Sequence, residues 1–181
     1  MKIIETKIKG VFIIEPKVFG DERGYFFESF NARDFNAEVG SEFTFVQDNQ
    51  SKSGANVLRG LHFQKPPYDQ GKLVRVTQGS VKDVIVDIRK DSETYGEHII
   101  EVLDTKNHRM LWIPPGMAHG FVSLEAETIF TYKCTGYYHP ESEGCILWSD
   151  ANLNINWDVT NPIISDKDKI GEVFSKFNSP F

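Results

Sequence analysis

The sequence predicts a mainly β protein, an antiparallel sandwich or barrel with a few short helices. Three observations predict it. Short runs rich in β-branched and aromatic residues recur along the chain, separated by Gly, Pro and Asn turn signals. Aromatic residues make up 13% of the chain, carried mainly by 14 Phe, and such residues pack well on pleated surfaces. No long helical period alternates with the strands, which counts against a doubly wound or TIM-type fold.

The elements follow in order. Val11 to Glu15 is a short apolar run closed by Pro16. Gly24 to Phe30 is an aromatic run after the turn-like GDERG. Asn31 to Val39 is a helix: Asn31 caps it, Phe35 and Val39 share a face, and Gly40 ends it. Phe43 to Asn49 alternates, which puts Phe43, Phe45, Gln47 and Asn49 on one face of a regular strand, and SKSGAN then reads as a loop. Lys72 to Asp87 reads as a hairpin, two β-branched runs about Gln78-Gly79-Ser80. His98 to Leu103, Met110 to Ile113, His119 to Leu124 and Thr128 to Cys134 continue the pattern, with Pro114-Pro115-Gly116 as a rigid turn. From about residue 150 the chain is polar, anchored by Trp157 and Ile163-Ile164. The 181 residues read as a single domain with a peripheral tail at 169–181.

Composition narrows the function. The chain has 20 Lys+Arg against 26 Asp+Glu, a formal net charge of −6. That balance argues against a duplex nucleic-acid binder, which needs surplus cations for phosphates. No apolar run is long enough to span a bilayer, and the charged N-terminal stretch has no signal-peptide core. Cys134 and Cys145 make no disulfide framework, so the expected address is the cytoplasm.

Several residues can carry chemistry. His62, in LRGLHFQ, and His119, in PPGMAHGF, each suit a general base or a structural hydrogen bond. The five histidines are scattered, with no His-x-His and no His-x-x-x-His, so local spacing supports no metal site. Lys72 shares a face with Val74 and Val76, at a sheet margin or in a pocket. Tyr132 shares a face with Phe130 and Cys134, a pattern more commonly that of a core tyrosine with its hydroxyl satisfied. Arg23 and Arg59 each abut a glycine and suit phosphate oxygens or surface ion pairs. Strict alternation puts Arg59 and His62 on opposite faces unless Gly60 breaks it. Tyr137-Tyr138 offers a stacking face or a packed sheet rim.

Taken together, VFGDERGYFFESF, FVQDN, NVLRGLHFQ, QGKLVRV, LWIP and AHGF, YY with PESEG, and ILW occur in order. In that order they resemble the dTDP-4-dehydrorhamnose 3,5-epimerases from about residue 10 to Asp168. The resemblance implies a cupin-type jelly-roll that works without a metal or other cofactor. It implies a dTDP-linked 4-keto-6-deoxy sugar as substrate, inverted at carbons 3 and 5 on the way to dTDP-L-rhamnose. The family's base corresponds to His62, oriented by Asp168 in ISDKD. Lys72 corresponds to the group at the enolate oxygen, Tyr132 to the opposite-face proton donor, and His119 to a sugar contact. Arg23, Glu28, Gln47, Asp48, Asn49, Arg59, Glu143 and Lys167 fall at nucleotide-sugar positions, and Tyr138 at the thymine-stacking position. The resemblance also implies a homodimer whose N-terminal strands are exchanged, so that Arg23 and Glu28 act across the interface. The related alternatives are epimerases that invert carbon 3 alone, 3,4-ketoisomerases, and non-catalytic sugar-binding cupins.

Overall fold

The computed structural model describes residues 1–181. Strands β1 (Lys2–Glu5) and β2 (Phe12–Glu15) precede a small hairpin of β3 (Phe19–Asp21) and β4 (Gly24–Phe26). Helix α1 (Ala32–Val39) follows, then β5 (Gln47–Ser53), β6 (Val57–Gln64), β7 (Lys72–Gln78) and β8 (Ser80–Asp87). The chain continues through β9 (His98–Asp104), β10 (Met110–Ile113), β11 (Met117–Ser123) and β12 (Thr128–Cys134). Short strands β13 (Glu143–Cys145) and β14 (Ile163–Ile164) and helix α2 (Asp166–Lys169) complete it.

Two sheets face each other. One has the order β1-β2-β10-β7-β12-β5, the other β13-β6-β11-β8-β9 with β14 alongside β6. All pairings among the long strands are antiparallel, as the turn-punctuated pattern predicts. Alternation then assigns each side chain to an inner or outer face. The inner faces contribute Val74, Val76, Val81, Ile85, Leu111, Ile113, Met117, Phe121 and Phe130 to one apolar cluster between the sheets.

The outer faces are covered as well. Helix α1 is capped as expected: Asn31 Oδ1 accepts the Asp34 N–H at 3.3 Å, and Gly40 ends the helix at φ +73°. Its Phe35 packs with Trp112, Phe43 and Phe45 against the first sheet. The second sheet is covered by Leu153, Trp157 and Phe177 from the C-terminal third. The 169–181 stretch is therefore not merely peripheral, since Phe177 joins a core and the Lys90 N–H donates to the Phe181 carbonyl at 3.0 Å.

Two further expectations from the sequence are corrected. The 72–87 segment is not a hairpin: β7 pairs with β10 and β12, while β8 pairs with β9 and β11. Both strands carry an apolar inner face, and facing sheets bury both where a flat hairpin would not. Gly79, at φ +76°, turns the chain from one sheet to the other, and a Cβ there would lie 2.4 Å from Thr128 Oγ1. The second correction is at Phe43 to Asn49. The strand starts only at Gln47 and runs through Ser53, because Phe43 and Phe45 are drawn onto Trp112 and Phe35 outside the sheet. No helix is long and apolar enough to cross a membrane.

Candidate active site

The inner faces are not apolar throughout. Between the sheets lies a cavity of about 460 Å³, lined among others by Arg59, His62, Lys72, His119, Tyr132 and Asp168. It adjoins a second of about 300 Å³ that shares His62, Lys72 and Tyr132 and adds Gln47, Asn49, Tyr138 and Glu143.

A register shift makes this possible. Opposite β11, His62 pairs with His119, but Arg59 pairs with Phe121, so β6 accommodates one residue more than its partner. The shift falls at Gly60, which has φ +130°. A Cβ at Gly60 would sit 2.5 Å from Gly120 Cα and 2.8 Å from the His119 carbonyl oxygen. Leu58, Leu61 and Phe63 consequently share the outer core, while Arg59 and His62 both line the cavity. Strict alternation would have separated them.

His62 is half-buried, and its Nε2 lies 2.6 Å from Asp168 Oδ1. Asp168 arrives on α2, where Ser165 Oγ accepts the Asp168 N–H at 3.2 Å as the N-cap. Burial pushes the Asp168 carboxyl up, but the hydrogen bond and charge of His62, with the Gly60 N–H and Ser165, hold it below the usual range. An ionised carboxylate only accepts, so Nε2 carries the hydrogen and the lone pair rests on Nδ1. His119 has a matching arrangement, its Nε2 3.0 Å from both oxygens of buried Asp83. Asp83 escaped the sequence reading. Its signal was a single acid on the Val81-Asp83-Ile85 face of an otherwise apolar run.

The facing sheet supplies Lys72 and Tyr132 on neighbouring strands. Burial pushes the Lys72 ammonium below its ordinary value, against the pull of Cys134, Glu143 and Asp83. Burial pushes the Tyr132 phenol up, so its proton is held firmly until acceptor charge develops nearby.

At the outer end, the Tyr138 hydroxyl donates to Glu143 Oε2 at 2.8 Å, and Lys167 pairs with the same carboxylate. Burial raises the Glu143 carboxyl, but these two partners outweigh it and hold it low. Gln47 accepts the Tyr138 N–H at 3.1 Å and donates to Asn49 at 3.1 Å. Arg59 donates through Nε to Ser53 Oγ at 3.2 Å.

Three expected residues lie elsewhere. Asp48 points to the opposite face of β5, where Lys133 Nζ lies 2.9 and 3.0 Å from its oxygens. The pleat that aims Gln47 and Asn49 inward aims Asp48 out. Arg23 sits on the exposed β3–β4 hairpin, paired with Asp21, and Glu28 is exposed just beyond it. Neither lines the cavity of its own chain.

The family model for dTDP-4-dehydrorhamnose 3,5-epimerase matches residues 5–176. The chain belongs to that family. The dTDP-4-dehydrorhamnose 3,5-epimerase of Shigella flexneri is 55% identical over 174 residues, 96% of each chain. Among solved structures, the chain is similar to the Legionella pneumophila Philadelphia 1 dTDP-6-deoxy-D-glucose-3,5-epimerase in complex with dTDP-4-keto-L-rhamnose. That match has TM-score 0.93 at 47% identity, covering 98% of this chain and 94% of that one. It is also similar to a 3'-monoepimerase from Streptomyces bikiniensis in complex with dTDP-quinovose, with TM-score 0.90 at 30% identity, covering 94% and 86%. The chain is thus an isomerase of the 3,5-epimerase family that acts on a nucleotide sugar, and its jelly-roll is the epimerase fold.

Proposed function

We propose that this enzyme inverts carbons 3 and 5 of dTDP-4-keto-6-deoxy-D-glucose to give dTDP-4-keto-L-rhamnose, a step of dTDP-rhamnose biosynthesis. The observation that carries the mechanism is the division of groups between the sheets. The base, His62, stands on one, and Lys72 and Tyr132 stand on the other, about one cavity.

In the proposed mechanism His62 Nδ1 takes the proton from the carbon beside the ketone. The C–H electron pair moves into the ring, and the carbonyl oxygen becomes an enolate. Lys72 stabilises that oxygen. Asp168 stabilises the imidazolium and holds its tautomer, as a triad carboxylate does. Reprotonation comes from the other face. At carbon 5 we assign it to the Tyr132 hydroxyl, which then recovers a proton from solvent. His119, held by Asp83, contacts the sugar. The chemistry needs no redox or metal cofactor.

Arg59 binds the diphosphate, with Gln47, Asn49, Glu143 and Lys167 along the nucleotide sugar and Tyr138 stacked on thymine. The β3–β4 hairpin exposes Phe19, Tyr25 and Phe26, more than half of each residue's surface. This supports a homodimer in which the hairpin lies over the partner's cavity, bringing Arg23 and Glu28 to the substrate. Both thiols are free, which suits the cytoplasm.

The test is incubation with dTDP-4-keto-6-deoxyglucose in heavy water. Deuterium at both carbon 3 and carbon 5 is expected. Deuterium at carbon 3 alone, in a fully active preparation, would mean a carbon-3 epimerase.

A further inference from the structure

We infer that His62, Cys145 and Asp168 form an inhibitory site for a soft divalent cation of the zinc class. Cys145 on β13 is the direct register partner of His62 on β6, and α2 brings Asp168 to the same spot. A ligand atom from each lies within 4.8 Å of the others. The mechanism uses His62 and Asp168 but has no task for the thiol. The thiol's contact with the Ile146 carbonyl is a weak one, Sγ to oxygen at 3.6 Å.

The donor set decides the ligand class. One imidazole, one thiol and one carboxylate suit zinc, and its relatives cobalt and cadmium, while magnesium and calcium take oxygen. Three protein ligands leave a fourth position for water. Side-chain rotation has to open the 2.6 Å His62–Asp168 bond and draw the sulfur in, since ligand bonds to zinc are about 2.0–2.3 Å.

The proton balance explains the inhibition. The cation takes the Nε2 lone pair, so the ring hydrogen moves from Nε2 to Nδ1. The thiol proton leaves to solvent as the Sγ–metal bond forms. Nδ1 then carries a hydrogen and cannot accept one from the sugar, and Asp168 is diverted to the metal. Nothing is oxidised or reduced. The inhibition rests on His62 being the base. The binding does not.

The experiment is a cobalt titration of the chelator-treated, dialysed full chain, followed by zinc inhibition of epimerisation. One equivalent of cobalt should produce a thiolate-to-cobalt absorption band that zinc abolishes. Cys145→Ser and Cys145→Ala should lose the band, while Cys134→Ser should keep it. Zinc should inhibit the wild type, a chelator should restore activity, and the Cys145 variants should need roughly tenfold more zinc or beyond. No band, or equal zinc sensitivity in wild type and Cys145 variants, would overturn the site. A Cys145-dependent band without inhibition would overturn the inhibitory role. Absent epimerisation by the metal-free wild type would instead sink the functional reading, while the cobalt band still decides the cation site.

Discussion

Asp168→Asn is the most informative single change. The side chain keeps its shape but loses its charge, in a position only 3% exposed. The carboxylate now serves His62 Nε2 at 2.6 Å and the Gly60 N–H at 3.4 Å. An amide cannot serve both. If its oxygen faces Gly60, its NH2 faces the imidazole, forces Nε2 to accept and moves the hydrogen to Nδ1, which disables the base. If its oxygen faces His62, two donors meet in a buried place, at about 1–3 kcal/mol. In either orientation the imidazolium loses a partner charge worth about 4 kcal/mol at roughly 4 Å and an effective dielectric of about 20. Epimerisation should therefore slow by roughly 10²- to 10⁴-fold, about 3–5 kcal/mol of barrier. The assay is solvent deuterium uptake at carbon 3 by single-turnover mass spectrometry, with circular dichroism to show the fold intact. A second readout is stability against pH. The Asp168 carboxyl is lowered in the folded state, so its contribution is complete above the unfolded value near 4 and fades as pH falls through the lower folded value. The stability gap between wild type and variant should close in acid. A folded Asn variant that exchanges carbon 3 at the wild-type rate would refute the dyad.

Four other outcomes are expected. Tyr132→Phe should retain deuterium exchange at carbon 3 while inversion at carbon 5 falls much further, and normal carbon 5 inversion would transfer the donor role elsewhere. Tyr138→Ala should weaken dTDP binding by roughly 1–3 kcal/mol in calorimetry, the scale of base–aromatic stacking, and unchanged affinity would reduce it to a packing residue. In the proposed mechanism Lys72 acts as a cation, and burial lowers its pKa, so turnover should fall as pH rises toward its folded value, and in Lys72→Arg that alkaline fall should move to higher pH. Gly60→Ala should cost roughly 2–5 kcal/mol in denaturant unfolding, from positive φ and the clash with Gly120, and an unchanged midpoint would disprove the need for close approach.

The local features were legible because their causes are local. The helix at Asn31 to Val39 was readable from its cap, its Phe35–Val39 spacing and its terminal glycine. Strands Met110 to Ile113 and Thr128 to Cys134 were readable from short runs with turn residues beside them. The shared face of Lys72, Val74 and Val76 followed from the pleat alone, and the same rule, with the observed strand, aims Asp48 away from Gln47 and Asn49.

Partner choice was not legible, because alternation says which residues share a face and nothing about which sheet that face meets. Lys72 to Asp87 has every local mark of a hairpin, yet burying two apolar inner faces sends its halves to facing sheets. The site depends on the same long-range decisions. One extra residue at Gly60 reverses the face of everything after it, which is what puts Arg59 beside His62. That residue is accommodated only because Gly120, on another strand, leaves room for the approach. Asp168 meets His62 across 106 residues of sequence, and Asp83 meets His119 across 36. The sequence by itself determined the strands, the helix caps and the chemical types available. Tertiary structure alone decided which of those groups face one another, because sheet pairing is settled by the burial of whole faces and not by any neighbouring residue.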